Sequence, residues 1–430
     1  MPKARRARNA ASTLAPPRAS VALLLAFDRN VRLVYATILL LGTAYGASLS
    51  VTPLELAKLH FDKHQIGTLA ICFAGGIVAM SIPAGALVQR LSAKATLLGC
   101  LLVYAAAVAL FPLQTTYLGA GAVRALDGAS SVGVWVACET VLLARSDKAH
   151  KALVMSLYAM AIAVGYVLGS GLARGLVLFV EYEHVFFAAS GIALMAFVLV
   201  AARLDASAHR AAAAPPTEQE SSGLPATALL WRIKTSCLAT FSYGYFQASV
   251  VLFLPLYLIE AKHVAERDTT IITAFFAGGM LLFSTIAARL GDRLGHLRVM
   301  GALASIGIAM ILGFVYLSSW TAMCAAIFVA GATLASISPV SLALQGHVAD
   351  PRDYSRANAI YNACYAGGML LGPPISSAIM TSHGGPAMLY HFAAMWAVFV
   401  VATLVFAADD PARTPRAQAL EEAGGGADVG

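Results

Sequence analysis

The stretch F-A-G-G at residues 73–76 occurs a second time at residues 276–279, so the two copies start 203 positions apart. The same spacing relates other parts of the chain: Gln89-Arg90 to Asp292-Arg293, Gly165 to Gly368 and Gly169 to Gly372. A single offset shared by several segments indicates an internal repeat. We therefore predict two halves in parallel arrangement, in which each segment of the first half matches one in the second. In transporters that are built this way, the substrate path lies between the halves.

The composition is that of a membrane protein. Of the 430 residues, 59% are hydrophobic and 12% are charged, and the mean hydropathy is +0.75. Soluble domains contain about 45–50% apolar and about 25% charged residues. Apolar runs of about 20 residues, the length that crosses a bilayer, recur along nearly the whole chain. These observations predict an all-α polytopic membrane protein with twelve transmembrane helices in two six-helix halves.

The limits of each predicted span can be given on the sequence. In the first half they are 33–57, 66–88, 96–113, 117–143, 152–176 and 186–202, and in the second half 235–259, 270–289, 299–317, 320–346, 357–381 and 388–408. This gives a tail (1–31), a six-helix bundle (32–202), a linker (203–234), a second bundle (235–408) and another tail (409–430). The linker is rich in Ala, Pro, Ser and charge, a composition that does not build a core.

The basic residues predict orientation rather than a nucleic-acid partner. The formal net charge is +7, but most Lys and Arg residues lie in the two tails and the loops on the side of the chain termini. Such a bias places those loops in the cytoplasm. We expect a multi-pass protein of the cell inner (plasma) membrane with both termini cytoplasmic, no nucleic-acid partner and a monomeric state.

No sequence motif points to an enzyme or to a cofactor. The six cysteines lie inside apolar runs without a C-x-x-C pair, so neither a disulfide framework nor a metal site is expected. H-E-x-x-H, G-x-S-x-G and G-x-x-x-x-G-K-[ST] are all absent from the sequence. A membrane-embedded enzyme and a primary pump are therefore weaker hypotheses than a secondary transporter. A channel is a weaker hypothesis because two matching halves with an asymmetric latch favour alternating access.

Two segments carry a family resemblance. Residues 288–298, A-R-L-G-D-R-L-G-H-L-R, resemble the loop signature G-x-x-x-D-R-x-G-[RK] of the major facilitator superfamily, and residues 85–94 are a weaker copy. Residues 124–142, with Arg124, Trp135 and Glu139, resemble the fourth helix of the YcaD-like branch of that superfamily. The resemblance implies the major facilitator fold and transport by alternating access, without naming a substrate.

Arg124 and Asp127 are the charged residues that we expect inside the membrane. They are three positions apart, which places them on one face of a helix. Charges inside a bilayer usually face a partner or a wet cavity. Either the pair couples transport to protons, with Asp127 as the protonatable group, or it is a structural ion pair.

The residues near the cytoplasmic ends predict a gate. Glu139 lies 15 residues after Arg124, about 22 Å along a helix. We expect it to form a latch with Arg90 and Lys94 of the loop between the second and third spans. In the matching second-half loop, which contains Asp292 and Arg293, Asp292 is expected to cap the start of the fifth span near Ala152.

Polar and aromatic residues within the spans predict the lining of a cavity. They are Tyr45 on the first span, Tyr243 and Gln247 on the seventh, and Asn358, Tyr361, Asn362 and Tyr365 on the eleventh. The last four share one helix face. Because few charges accompany them, a small neutral, amphipathic or singly charged organic solute fits better than a polyanion. Proton symport and proton-driven drug or metabolite efflux remain alternative modes.

Overall fold

The structure, a computed structural model, describes residues 28–145, 151–205, 224–350 and 353–410. Over these ranges the chain forms helices and short connections, without strands. The first half contains α1 (Arg29–Lys58), α2 (Lys63–Leu91), α3 (Ala93–Leu110), α4 (Tyr117–Ala144), α5 (Lys151–Leu176) and α6 (Tyr182–Arg203). The second half contains α7 (Lys234–Lys262), α8 (Ile272–Leu294), α9 (His296–Phe314), α10 (Trp320–Val348), α11 (Tyr354–His383) and α12 (Gly385–Val405).

Every predicted span corresponds to one of these twelve helices. Ten helices in the described part are long and apolar enough to cross a membrane by length and composition. The other two are α4 and α11, of 28 and 30 residues, which carry half of the predicted site residues. The all-α prediction is therefore confirmed. Some helices begin earlier than predicted, as α6 does at Tyr182 rather than 186, because helical first turns can be polar.

Local capping explains where several helices begin. Asp62 and Gln65 form a capping box at α2, in which Asp62 Oδ1 accepts from the Gln65 backbone N–H at 2.7 Å. Thr116 caps α4 in the same sense by accepting from the Gly119 N–H. Within each half the connections are short, so consecutive helices run antiparallel, and the contact between Lys63 and Glu260 places the end of α7 beside the start of α2. We call the side that holds the start of α1 and the end of α12 the terminal side, and the opposite side the distal side.

The sequence repeat is reproduced in the packing of the helices. A Cβ atom on Gly76 of α2 would collide with the carbonyl oxygen of Ala125 in α4. A Cβ atom on Gly279 of α8 would collide in the same way with the carbonyl oxygen of Phe328 in α10, and both positions are shifted by 203. The repeated F-A-G-G motif therefore marks the close crossing of α2 with α4 and of α8 with α10, where only glycine lets the backbones meet.

Each half is closed by a matching polar contact on the terminal side. In the first half, Asn30 at the start of α1 donates to Asp205, which follows α6, at 3.3 Å. In the second half, Lys234 at the start of α7 pairs with Asp409, which follows α12. Both contacts span 175 positions of sequence. The first and last helices of each half are thus joined in the same way.

The loops that carry the family signature differ in backbone strain. Gly295, between α8 and α9, has a φ of +100°. The matching residue between α2 and α3 is Ser92, with a φ of +127°. Glycine adopts backbone conformations with such positive φ values readily, whereas other residues adopt them only at a cost in free energy. The predicted tails (1–31, 409–430) and linker (203–234) lie mostly outside the described residues.

Candidate functional site

Arg124 and Asp127 form an ion pair in the middle of the first half. Arg124 Nη1 donates to Asp127 Oδ2 at 2.7 Å, and the two side chains are 12% and 11% exposed. Ser131, one turn further along α4, donates to Asp127 Oδ1 at 3.4 Å. The i, i+3 spacing that the sequence suggested therefore produces a direct contact.

Aromatic rings surround the arginine. The Arg124 guanidinium carbon lies 4.4 Å from the centre of the Phe73 ring and 5.8 Å from that of Phe111. Cations bind favourably over aromatic faces within about 6 Å. Since Arg124 also has the Asp127 carboxylate, its charge is compensated on both sides. The pair is therefore electrically neutral as a unit.

A cluster of tyrosines lies next to this pair on the face toward the second half. Tyr45 of α1 packs against Tyr166 of α5 with ring centres 5.6 Å apart and planes at 80°. Tyr104 of α3 stacks behind Tyr45 at 6.1 Å and is fully buried. Asp127 is close enough to interact electrostatically with Tyr45, Tyr104 and Tyr166. The ion pair and the tyrosines thus form one site.

The second half contributes a matching aromatic pair. Tyr243 of α7 and Tyr365 of α11 stack with ring centres 6.1 Å apart and planes at 27°. Tyr365 Oη donates to Gln247 Oε1 at 2.7 Å, which fixes the amide of Gln247. Tyr166 of the first half interacts electrostatically with both Tyr365 and Tyr243. The two pairs therefore face each other across the boundary between the halves.

The predicted polar face of α11 divides into two parts. Tyr361 is buried and forms hydrogen bonds with Ser341 (2.9 Å) and Ser338 of α10. Asn358 and Asn362 are exposed. Because α11 starts on the terminal side, these two asparagines lie between that side and Tyr365. The structure therefore brings Tyr365 into the central site but not the asparagines.

The predicted latch around Glu139 is not present. Lys94 Nζ donates instead to the carbonyl oxygens of Ala201 (3.1 Å) and Leu204 (2.6 Å), at the end of α6. The last carbonyls of a helix lack intrahelical partners and attract a nearby ammonium group. Arg90 is exposed, and no ion pair among the described residues joins it to Glu139. The predicted latch therefore does not form in this conformation, and the gating role of Glu139, Arg90 and Lys94 stays a prediction.

In the second-half loop, Asp292 and Arg293 lie at the end of α8, and the capping role of Asp292 stays a prediction. The Asp292 carboxylate lies 3.3 Å from His296 Nε2 and is 59% exposed. Arg293 is exposed beside it. The helix start that Asp292 was expected to cap adjoins residues 146–150, outside the described part of the chain. The N–H of Leu297, in the first turn of α9, donates to Asp410 Oδ2 at 2.9 Å. The sequence did not predict this contact.

Polar contacts between the halves are concentrated on the distal side. Four such contacts join described residues: Ser50 with Thr273 (3.1 Å), Lys63 with Glu260 (2.7 Å), Arg174 with Asp268 (2.6 Å) and Tyr182 with Glu266 (2.6 Å). All of them lie in the distal part of the molecule. Gly67 of α2 also meets α11 there, since a Cβ atom on it would be 2.9 Å from the Pro373 carbonyl oxygen. The halves are thus held together on the distal side.

A cavity of about 500 Å³ lies beside these contacts, at the distal ends of α1, α5 and α7. Its walls include Lys58, Glu181 and Glu260, and Lys58 pairs with Glu181 at 2.9 Å within the first half. In the part of the chain that the structure describes, no group of three His, Cys, Asp or Glu side chains is placed to hold a metal ion.

The sequence did not predict Tyr166 as a site residue, nor the contacts on the distal side. Tyr166 stands between the repeated glycines Gly165 and Gly169, so the repeat itself marks its helix as a close-packed one. Arg174 belongs to α5 and Asp268 to the short turn before α8, and nothing in their spacing pairs them. Only the fold brings positions 94 residues apart together.

The chain is similar to known transporters over most of its length. The protein named "Uncharacterized MFS-type transporter YcaD" from Shigella flexneri serotype 5b (strain 8401) is 23% identical over 387 residues, which cover 90% of this chain and 98% of that protein. The protein of the same name from Escherichia coli O139:H28 is 22% identical over the same lengths. The expected likeness to the YcaD-like branch is thereby confirmed.

Solved structures share the fold at low identity. The nucleoside transporter NupG superposes with a TM-score of 0.73 at 14% identity, covering 88% of this chain and 99% of NupG. A bacterial homolog of the human lysosomal transporter Spinster, in an inward-facing and occupied conformation, gives 0.65 at 15% identity, covering 91% and 95%. The family model described as Major Facilitator Superfamily matches residues 33–260 and 236–427. The chain is therefore a multi-pass membrane protein that belongs to the major facilitator superfamily, a family of transporters and not of enzymes.

Proposed function

We propose that this protein is a secondary active transporter that moves a small organic solute by alternating access. The solute would bind between the halves, at the site formed by the Arg124–Asp127 pair and the two tyrosine pairs. Membership of a transporter family and the central position of this site support the proposal. Binding sites between the halves are common in transporters with internal repeats.

The observation that carries the proposal is the one-sided distribution of contacts between the halves. The four polar contacts between described residues of the two halves lie on the distal side, while Asn358 and Asn362 of α11 are exposed toward the terminal side. This arrangement is expected for a state closed distally and open terminally. Transport would then require a second state in which the distal contacts are broken.

The distal ion pairs are weak enough to break in an exchange between the two states. The ion pairs Lys63–Glu260 and Arg174–Asp268 have side chains between 27% and 50% exposed. Partly exposed ion pairs contribute about 0–1 kcal/mol each. A few such contacts amount to a small total, and a ligand that prefers one state by a few kcal/mol can reverse the populations.

Orientation follows from the basic residues. We propose that the terminal side faces the cytoplasm and that the membrane is the cell inner membrane, because most Lys and Arg residues lie on the terminal side. On that basis the conformation is open to the cytoplasm. The predicted tails at 1–31 and 409–430 and the linker at 203–234 would then be cytoplasmic.

Alternating access is tested by chemical labelling from each side of the membrane. In a cysteine-free background, Gln247→Cys reports access to the central site, and an impermeant maleimide is added to vesicles of known orientation. We expect labelling from both sides. The additional pair Ser50→Cys/Thr273→Cys, at the 3.1 Å contact, should form a disulfide under oxidation and restrict labelling to the terminal side.

The matched control is a disulfide within one half. Ser249 and Ser376 are 3.0 Å apart, and both belong to the second half. Oxidation of Ser249→Cys/Ser376→Cys should leave labelling from both sides unchanged. Labelling from both sides that survives the Ser50–Thr273 cross-link would indicate a channel, and labelling from one side only, before any cross-link, would contradict alternating access.

Proton coupling is proposed separately, with Asp127 as the coupling acid. Its support is a carboxylate that is nearly buried and contacts one arginine in the central site. In proteoliposomes, Asp127→Asn should abolish accumulation driven by a pH gradient while counterflow of labelled solute continues. If both persist, Asp127 is structural. The direction of the gradient that supports accumulation distinguishes symport from drug or metabolite efflux.

A further inference from the structure

We infer that the central site recognises an uncharged solute through a planar aromatic or heteroaromatic ring, held between the tyrosine pair of the first half and that of the second. This inference rests on the proposed transport function and specifies its substrate class. The four residues that carry it, Tyr45, Tyr166, Tyr243 and Tyr365, are called the tyrosine cage.

The tyrosine cage is assembled from four helices at mid-length. Tyr45 and Tyr166 present their rings edge to face at 5.6 Å, and Tyr243 and Tyr365 are nearly parallel at 6.1 Å. Each half thus offers aromatic surface to the space between the halves. Aromatic rings bind other rings favourably in either geometry, at centre distances of about 4.5–7 Å.

The cage is accessible although it lies deep in the protein. Tyr45, Tyr166 and Tyr365 are all partly exposed, whereas Tyr104 behind them is fully buried and Tyr243 is 6% exposed. Tyr166 interacts electrostatically with Tyr243 and Tyr365 of the other half, and rings at the centre of long helices keep this exposure only if there is space beside them. That space lies between the halves, where a ring could enter.

The polar groups of the cage suit a neutral ring with hydrogen-bonding atoms. Gln247 Oε1 accepts from Tyr365, which leaves the Gln247 amide N–H groups without a partner among the described residues. The hydroxyl groups of Tyr45 and Tyr166 likewise have no protein partner in the described part of the chain. These groups can donate to a carbonyl or ring nitrogen of the solute.

The charges beside the cage argue against an ionic solute. Arg124 and Asp127 neutralise each other at 2.7 Å, and Phe73 and Phe111 cover the guanidinium. An ion placed in a buried site needs a counter-charge that is not already engaged. Since the two charges at this site are paired with each other, an uncharged solute pays the smaller desolvation penalty.

The test compares matched neutral amides that differ only in aromaticity. The purified full-length protein is titrated calorimetrically with benzamide and cyclohexanecarboxamide, and then with 1-naphthamide and its fully hydrogenated counterpart. We expect the aromatic member of at least one pair to bind about tenfold more tightly, which corresponds to about 1.4 kcal/mol. Equal affinities within both pairs, or no binding by any aromatic amide, would overturn the inference.

Variants of the cage locate the binding site. Tyr166→Leu and Tyr365→Leu should each remove most of the preference for the aromatic member, while Tyr166→Phe should retain it because the ring remains. Tyr316→Leu is the control, since Tyr316 is 79% exposed outside the cage. If Tyr316→Leu reduces the preference as much as Tyr166→Leu does, the cage is not the site. Unfolding temperatures without ligand show whether each variant is folded.

The outcome is separable from the test of alternating access. If Gln247→Cys is labelled from both sides but the amides bind without aromatic preference, the transport proposal stands and this inference fails. If labelling is one-sided but the preference depends on Tyr166 and Tyr365, the cage binds aromatic solutes and the transport proposal fails.

Discussion

Arg174 Nη2 lies 2.6 Å from Asp268 Oδ1, and this contact joins α5 of the first half to the short turn before α8 of the second. The two side chains are 28% and 30% exposed. A salt bridge of this kind holds the distal side closed without making closure permanent. Lys63–Glu260 and Tyr182–Glu266 join the two halves on the same side. In the transport cycle that we propose, a ligand would overcome these contacts.

Breaking this ion pair should open the distal side more often. In the Gln247→Cys background, Arg174→Gln or Asp268→Asn should increase labelling from the distal side about fivefold, because about 1 kcal/mol changes a two-state population by that factor. Lys58→Gln is the control, since Lys58–Glu181 lies within the first half. A similar increase for Lys58→Gln, or none for the Arg174 and Asp268 variants, would contradict this role.

Gly67 should be required for distal closure. A Cβ atom there would lie 2.7 Å from Ser377 Oγ and 2.9 Å from the Pro373 carbonyl oxygen, so α2 and α11 would have to separate. We expect Gly67→Val to increase distal labelling of Gln247→Cys more than tenfold. The control is Gly75→Val in the same helix, where a Cβ atom would meet nothing within 4 Å. Equal labelling of the two variants would show that this helix contact does not hold the gate.

The Arg124–Asp127 pair should behave as one energetic unit. Asp127→Leu leaves a nearly buried arginine without its carboxylate, which costs about 3–5 kcal/mol. The double variant Arg124→Met/Asp127→Leu should recover most of that loss, because neither charge is then buried alone. Reversible unfolding in detergent of the parent, the single variants Asp127→Leu and Arg124→Met and the double variant gives the coupling energy. Additive losses would mean that the two side chains are stabilised independently.

Ser92 should be a strained position that glycine relieves. Its φ of +127° is unfavourable for a residue with a Cβ atom, while its Oγ accepts from the Ala95 N–H at 3.2 Å. Ser92→Ala keeps the strain and loses the cap, so it should destabilise the protein by about 1 kcal/mol. Ser92→Gly removes strain of about 1–3 kcal/mol and should be at least as stable as the parent. Thermal unfolding of both variants measures their order of stability. A glycine variant that is less stable than the alanine variant would refute the prediction.

The sequence was sufficient for the number, order and approximate limits of the helices. A length of about 20 apolar residues is a property of each segment alone, and the F-A-G-G repeat at 203 positions required the halves to match. The pairing of Arg124 with Asp127 was also predictable, because one turn of one helix fixes it.

Contacts between distant segments were decided only by the tertiary structure. Lys94 lies against the end of α6 rather than beside Glu139, and Arg174 meets Asp268 across 94 positions. The tyrosine cage likewise takes Tyr166, which no motif singled out, from a helix that approaches α1 and the second half together. Helix periodicity specifies which side chains share a face, but the neighbour of that face depends on how twelve helices pack. For this protein, the local sequence pattern therefore determined the helical architecture. Tertiary packing determined which side of the molecule is closed and which residues form the central site.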